Sequence, residues 1–297
     1  MEKQTARSIV TDLKVLLKGF VLVANVLPVF SGFWLALYVS NTSFSEMWDT
    51  FFYMAIGGTL VIAGALILNN WYEVDLDSKM ERTQQRPTVT GNFSLRTVLC
   101  LGIVSSIIGM TFLYFTTLEA FTYGFLGWFT YVVLYTFWSK RKYTLNTVIG
   151  SVSGAFTPLI GWAAVTSAYH VVPIVLFIIL FIWQIPHTFA IAMRRYDDYK
   201  AAGVPMLPVV YGFNMTKRQT ALYIACLLPL PFFLLSINVG LVVLMTILNI
   251  VWLAFAIHGL FTDRNELYAN RMFYFSLLYL TVLFVGLIFV TLPMFVS

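Results

Sequence analysis

The sequence predicts an all-α polytopic membrane fold: nine transmembrane helices around a central cavity open toward the cytoplasmic side, with the N-terminus inside. Three observations predict it. Of 297 residues, 60% are hydrophobic and only 10% charged, against roughly 25% charged in an ordinary soluble domain. Long apolar runs recur along the chain, separated by short polar clusters, and about 20 apolar residues cross a bilayer as a helix. All 18 Lys and Arg fall in or beside segments that an odd number of crossings puts on one side, as the positive-inside rule requires. The length leaves no room for a soluble domain, and no Pro/Ser linker interrupts it, so residues 1–297 read as a single transmembrane domain.

The first span, 16–39, follows Lys3, Arg7 and Lys14 and has Lys18 in its opening turn. It is long and lacks a small-x-small cleavage site, so it reads as a retained helix and not a signal peptide. Asn25, one turn before Pro28, is a buried amide that either packs or faces the cavity. The second span, 48–70, is an unbroken apolar run that ends in a dense polar stretch. Spans 95–116 and 119–138 are joined by a tight turn. Span 147–168 holds the small-residue run GSVSGAF, residues 150–156, which permits close helix packing. Span 171–193 contains WQIPH, residues 183–187, where Pro186 loosens the helix bonding. Spans 218–237, 240–261 and 272–296 complete the set. Cys100 and Cys226 fall in apolar segments without metal-ligand spacing and read as core residues. His170 belongs to an outer loop and His258 to a structural position near the inner end of its helix.

The inner segments are then 1–15, 71–94, 139–146, 194–217 and 262–271, while the outer loops carry only Glu46, Asp49 and Glu119. The sequence pI of about 9.1 reports this topology, with contact to the lipid bilayer's anionic headgroups as a by-product. Nucleic acid is not an expected partner, because the basic residues are spread over five short loops.

Two inner loops, 71–94 and 194–217, each set acids beside arginines four spans apart, which suggests a duplicated helical unit whose loops meet over a cavity. In the first, Asn69, Glu73 and Asp77 recur at i, i+4 and i+8 and so share a helix face, while Asp75 points nearly the opposite way. Such a row suits a hard cation such as Mg2+, which takes one or two carboxylates and fills its shell with water and phosphate oxygens. Acids crowded at a membrane boundary repel one another unless a cation or arginine neutralises them. Arg82 and Arg86 are also four apart, and Pro87 ends the helical pattern after them. Guanidiniums at that spacing can hold phosphate oxygens in bidentate fashion, although anchoring on the positive side would also account for them. There is no GxxxxGK[ST] run, so nucleotide hydrolysis of the P-loop kind is not supported. The second loop gathers Arg194, Arg195, Asp197, Asp198 and Lys200 one to two turns beyond His187. A lone membrane histidine serves a helix–helix hydrogen bond about as readily as it serves a ligand.

The stretch NNWYEVDLDSKMERTQQRPTVTG, beginning at residue 69, resembles the first signature of the UbiA-type intramembrane prenyltransferases, N-x-x-x-D-x-x-x-D followed by R-T-x-x-R-P. The doubled Asn, the extra middle Asp and M-x-R-T are similar to the heme O synthase branch of that family. So are WQIPH with DYKAAGVPMLPVVYG (198–212), and SVSGAFTPLIGW (151–162). The resemblance covers the first seven spans. It implies a nine-helix fold in the cell membrane, a diphosphate held by Mg2+ between the two loops, and an active site toward the cytoplasm. It also implies transfer of a farnesyl group from farnesyl diphosphate to a vinyl of heme B, with water added, giving heme O. Carried over by position, it makes Asn69, Glu73 and Asp77 metal and diphosphate ligands, and Arg82 and Arg86 diphosphate contacts. Asp198 becomes part of a second acidic, metal-facing site and His187 a heme-side residue, with Asn70, Asp75, Asp197, Lys200 and Asn25 as further substrate-binding candidates. Heme A synthase or oxidase assembly proteins are the implied recipients of product. Three positions depart from the pattern: Glu73 stands where Asp is usual, Val74 where Arg is usual, and Thr188 where an aromatic follows the His. A glutamate still ligates Mg2+ with a longer reach, whereas Val74 removes one phosphate contact.

Rival readings make different demands. A prenyltransferase acting on an aromatic quinone precursor would share the first loop but carry a more acid-rich second motif. A transporter would repeat polar residues at the bilayer midplane along several helices. A non-catalytic heme-binding assembly factor would keep His187 without needing the Asn69/Glu73/Asp77 row.

Overall fold

The computed structural model describes residues 9–292; Lys3, Arg7 and the end of the expected last span lie outside them. No strand occurs among the described residues. A short helix, α1 (Ile9–Leu16), turns through Lys18, at φ 48°, into α2 (Gly19–Ser40). A 3-10 turn leads to α3 (Trp48–Tyr72), followed by two single-turn helices, α4 (Val74–Asp77) and α5 (Pro87–Thr90), inside the first inner loop. α6 (Leu95–Tyr114) is joined to α7 (Leu118–Phe129) by the expected tight turn, where Thr117 Oγ1 accepts the Ala120 N–H at 3.0 Å. α7 continues as a π-helix over Thr130–Ser139.

The expected span 147–168 is two helices, α8 (Asn146–Ala155) and α9 (Thr157–Ala163), divided at Phe156. The division follows from Pro158, which has no N–H to continue the ladder. α10 (Val171–Arg194) instead runs unbroken through Pro186. α11 (Tyr196–Ala201) lies in the second inner loop. α12 (Leu207–Leu227) begins earlier than the expected residue 218, bends at Gly212 (φ 78°), and gives way to a 3-10 turn at Leu230–Leu234 that contains Pro231. α13 (Val239–His258) and α14 (Asn265–Val290) close the chain, α14 starting at Asn265 and not at 272.

Six of these helices, α2, α3, α6, α10, α13 and α14, are long and apolar enough to cross a membrane. The other three expected spans are the segmented ones: α7 with its π continuation, α8 with α9, and the bent α12. Lipid gives helices little hydrophobic reason to associate, so backbones must approach closely through small residues. α3 and α6 do so: a Cβ on Gly109 would stand 2.6 Å from the Val61 nitrogen. α2 meets α9 in the same way, with Gly32 against the Pro158 carbonyl and Gly161 against that of Val29. Trp162, Trp252, Tyr279, Phe33 and Phe284 fill the interior behind these contacts. Phe20, Phe52, Ile107 and Ile250 are among the large apolar side chains left on the outside, as a lipid-facing surface requires.

Candidate active site

Helical hydrogen bonding carries on from α3 across Glu73 into α4. The Glu73 N–H bonds the Asn69 carbonyl at 3.0 Å and the Asp77 N–H bonds that of Glu73 at 2.8 Å. The i, i+4, i+8 positions therefore stay on one face, and Asn69, Glu73 and Asp77 are only 1%, 3% and 3% exposed. Asp75 points the other way into solvent, where Arg141 grips it with two bonds of 2.7 and 2.8 Å and also bonds the Tyr72 carbonyl.

Each member of the buried row meets a cation from a different element. Lys18 donates to Asn69 Oδ1 at 2.5 Å, Lys140 to Glu73 Oε2 at 2.6 Å and Arg86 to Asp77 Oδ2 at 2.5 Å. Asn69 Nδ2 is held in turn by Thr136 Oγ1 at 3.0 Å, on the π-helix that ends beside Lys140. Burial opposes the charge on Glu73, yet Lys140 and Lys18 outweigh it and hold the carboxyl below its ordinary range. Burial opposes Lys140 as well, and the Glu73 carboxylate wins there too, raising the ammonium. Lys18 goes the opposite way: burial and the neighbouring Arg86 push it well below the ordinary lysine value, against the pull of Glu73.

The second inner loop meets the first beside this site. Asp198 Oδ1 accepts the Glu81 N–H at 2.9 Å, and Leu76 and Met80 pack with Ala192, Ala202, Val204 and Met206 beneath that bond. Other expected residues stand apart. Arg82, Asp197 and Lys200 are exposed, and Lys200 lies over the Tyr196 ring at 5.5 Å. Asn70 turns to α1, donating to the Leu16 carbonyl at 2.6 Å. Asn25 is half-exposed rather than buried, and it bonds the Val21 carbonyl one turn back at 2.8 Å, which satisfies its amide locally. His187 bonds Ser276 of α14 at 2.7 Å and stacks between Trp183 and Phe273.

The donor set suits a divalent cation. Among the described residues no three His, Cys, Asp or Glu side chains gather into a ready-made cage. Glu73 Oε1, however, is buried without a partner, on the same face as the Asn69 amide and the Asp77 carboxylate. One free carboxylate oxygen with one or two neighbours is what Mg2+ takes when water and phosphate complete its octahedron. Two grooves, of about 410 Å³ between α6 and α7 and about 440 Å³ between α13 and α14, lie away from the row.

Sequence reasoning missed Lys18, Thr136 and Lys140 as site residues. It counted both lysines only toward the positive-inside topology, because nothing local marks a lysine 51 or 67 residues away in sequence as the partner of Asn69 or Glu73. The available signal was the charge balance itself: two buried carboxylates require countercharge from somewhere in the fold.

The pattern of the UbiA prenyltransferase family matches residues 25–295. The chain is 53% identical over 294 residues to the protoheme IX farnesyltransferase of Oceanobacillus iheyensis, covering 99% of this chain and 94% of that one. It is 49% identical over 281 residues to protoheme IX farnesyltransferase 2 of Bacillus subtilis, covering 95% and 92%. Among solved structures, a digeranylgeranylglyceryl phosphate synthase superposes with a TM-score of 0.73 at 17% identity, covering 95% of this chain and 99% of that one. A UbiA homolog from Archaeoglobus fulgidus bound to GPP and Mg2+ superposes at 0.68 and 16%, covering 93% and 99%. These last two likenesses are of fold.

Proposed function

This chain belongs to the UbiA prenyltransferase family, and from that premise we propose that it transfers the farnesyl group of farnesyl diphosphate to a vinyl group of heme B, with addition of water, giving heme O. The observation that carries the reading is the buried row of Asn69, Glu73 and Asp77, each engaged by its own cation where an apolar helix ends. The names of the two bacterial relatives, each near half identical over almost the whole chain, supply the substrates.

In our mechanism the diphosphate exchanges partners with the site. Its oxygens draw Lys140, Arg86 and Lys18 from the carboxylates and the amide, as charge-assisted bonds to phosphate favour. Asn69, Glu73 and Asp77, with Asp198 from the second loop, would then hold Mg2+, which supplies charge neutralisation and makes the diphosphate a better leaving group. The three cations stabilise the negative charge that grows on the diphosphate as the allylic C–O bond breaks. The farnesyl cation is attacked by the electron-rich heme vinyl, and water captures the resulting cation as a hydroxyl while a proton is released. The covered site keeps stray water from the first cation. Arg82 would meet the outer diphosphate oxygens, and Asn70, Asp75, Asp197, Lys200 and Asn25 would act at the margins of substrate binding.

The same proposal has nine crossings in one domain, residues 1–297, in the plasma membrane, with the N-terminus and both active-site loops cytoplasmic. Product would pass to heme A synthase or to oxidase assembly proteins. Membranes containing the protein, incubated with heme B, farnesyl diphosphate and Mg2+, should yield heme O identified by mass. Asp77→Ala and Arg86→Ala should abolish it at unchanged protein level; product retained by either variant rejects the mechanism.

A further inference from the structure

α14 contributes a polar contact that farnesyl transfer as outlined does not use. Ser276 is fully buried, and its Oγ lies 2.7 Å from Nδ1 of His187 on α10. A serine hydroxyl has one proton. That proton goes to the Phe273 carbonyl, 2.6 Å away in the same helix, because a carbonyl can only accept. Ser276 Oγ must therefore accept from His187, which places the imidazole proton on Nδ1 and leaves a lone pair on Nε2. Nε2 makes no hydrogen bond and is not among the buried unpartnered atoms, so it stays accessible.

The ring is also fixed in orientation. It lies between Trp183, at 4.7 Å and 15°, and Phe273, at 5.3 Å and 24°. Trp183 is itself tied through its indole N–H to the Ser276 carbonyl at 2.9 Å. A histidine serving only as a link between helices has no need of a fixed ring with an open second nitrogen. Metal-ligating histidines regularly show this arrangement, with the distal N–H committed to a neighbour that fixes the tautomer. Along α10, His187 precedes Arg194 by two turns, roughly 10 Å at 1.5 Å per residue, and the Arg194 guanidinium lies over Phe273 at 4.2 Å. A flat substrate with iron at its centre and carboxylates at its edge can engage both residues together.

We propose that His187 Nε2 is an axial ligand to the iron of the heme substrate, and that Ser276 is the positioning residue that holds His187 in the required tautomer. This rests on heme B being the acceptor and assigns how it is held.

The test uses the full chain in lipid nanodiscs, titrated with ferric heme and separately with metal-free protoporphyrin IX. The wild type should give the absorption and electron paramagnetic resonance signature of imidazole-ligated heme. His187→Gly should lose that signature and bind heme at least about tenfold more weakly, with protoporphyrin binding unchanged and added imidazole restoring the spectrum. Ser276→Ala should weaken heme about tenfold, within the 10–100-fold usual for such outer partners, and Ser276→Thr should recover it. An unchanged signature in His187→Gly, or equal weakening of both porphyrins, overturns the proposal. If His187→Gly does not fold, Ser276→Ala decides: wild-type heme affinity and spectrum in that variant also overturn it. A wild type that shows the ligation but makes no heme O from farnesyl diphosphate refutes the functional reading and leaves ligation standing. Heme O formation with ligation unchanged in the variants does the reverse.

Discussion

Lys18 shows how much one side chain adds to the acid row. Its ammonium is buried beside Arg86, which depresses its pKa, yet a bound diphosphate would favour its charged form. Above the lowered pKa, therefore, binding must take up a proton, and affinity for the prenyl diphosphate should fall as pH rises. Calorimetry in buffers of different ionisation enthalpy should detect that uptake. Lys18→Arg, charged at every accessible pH, should flatten the dependence, whereas Lys18→Met should weaken binding about tenfold, ~1.4 kcal/mol. The spacing of Asn69, Glu73 and Asp77 was legible in the sequence because helical periodicity is local. Lys18 and Lys140 were not legible, since only tertiary packing brings α1 and the π-helix to α3. Nor was the partner of Asn25 legible: its side-chain N–H groups meet the Val21 carbonyl of its own helix.

Among the elements, the π-helix over Thr130–Ser139 does most to assemble the site. The wider turn carries one extra residue between α7 and Lys140, and π segments tend to mark functional sites. Lys140→Met takes away the ammonium that this segment brings to Glu73. Product formation should drop about 100-fold, as loss of one charge-stabilising donor does, while the protein still accumulates in membranes. The apolar pattern of the sequence identified a helix here but not its pitch, because hydrophobicity alone does not distinguish α from π. The division at Phe156 was foreshadowed by Pro158, although Pro186 carries the same signal inside an unbroken α10. At the α3–α6 contact, Gly109→Val should cost ~1–3 kcal/mol through overpacking, read as a lowered thermal midpoint.

At the scale of the whole molecule, the two inner loops are joined by the Asp198–Glu81 bond and the apolar cluster beneath it. If both face the cytoplasm, a single cysteine at position 92 in a cysteine-free background should resist an impermeant thiol reagent added outside cells. One at position 43 should react, and the opposite pattern would invert the topology. Removing divalent cations with EDTA should stop product formation, and added Mg2+ should restore it. Three serines buried in the bundle, Ser31, Ser106 and Ser276, each bond a carbonyl of their own helix.

The pairing of each row member with a cation of the same chain has an electrical consequence. An empty chamber at a membrane's edge that held unpaired carboxylates would recruit mobile ions and give them a foothold in the low-dielectric layer. Here Glu73 and Asp77 are already matched by Lys140 and Arg86, so the resting row has no net negative charge for a mobile monovalent ion to neutralise. Vesicles packed with it should hold an imposed voltage as long as protein-free vesicles do.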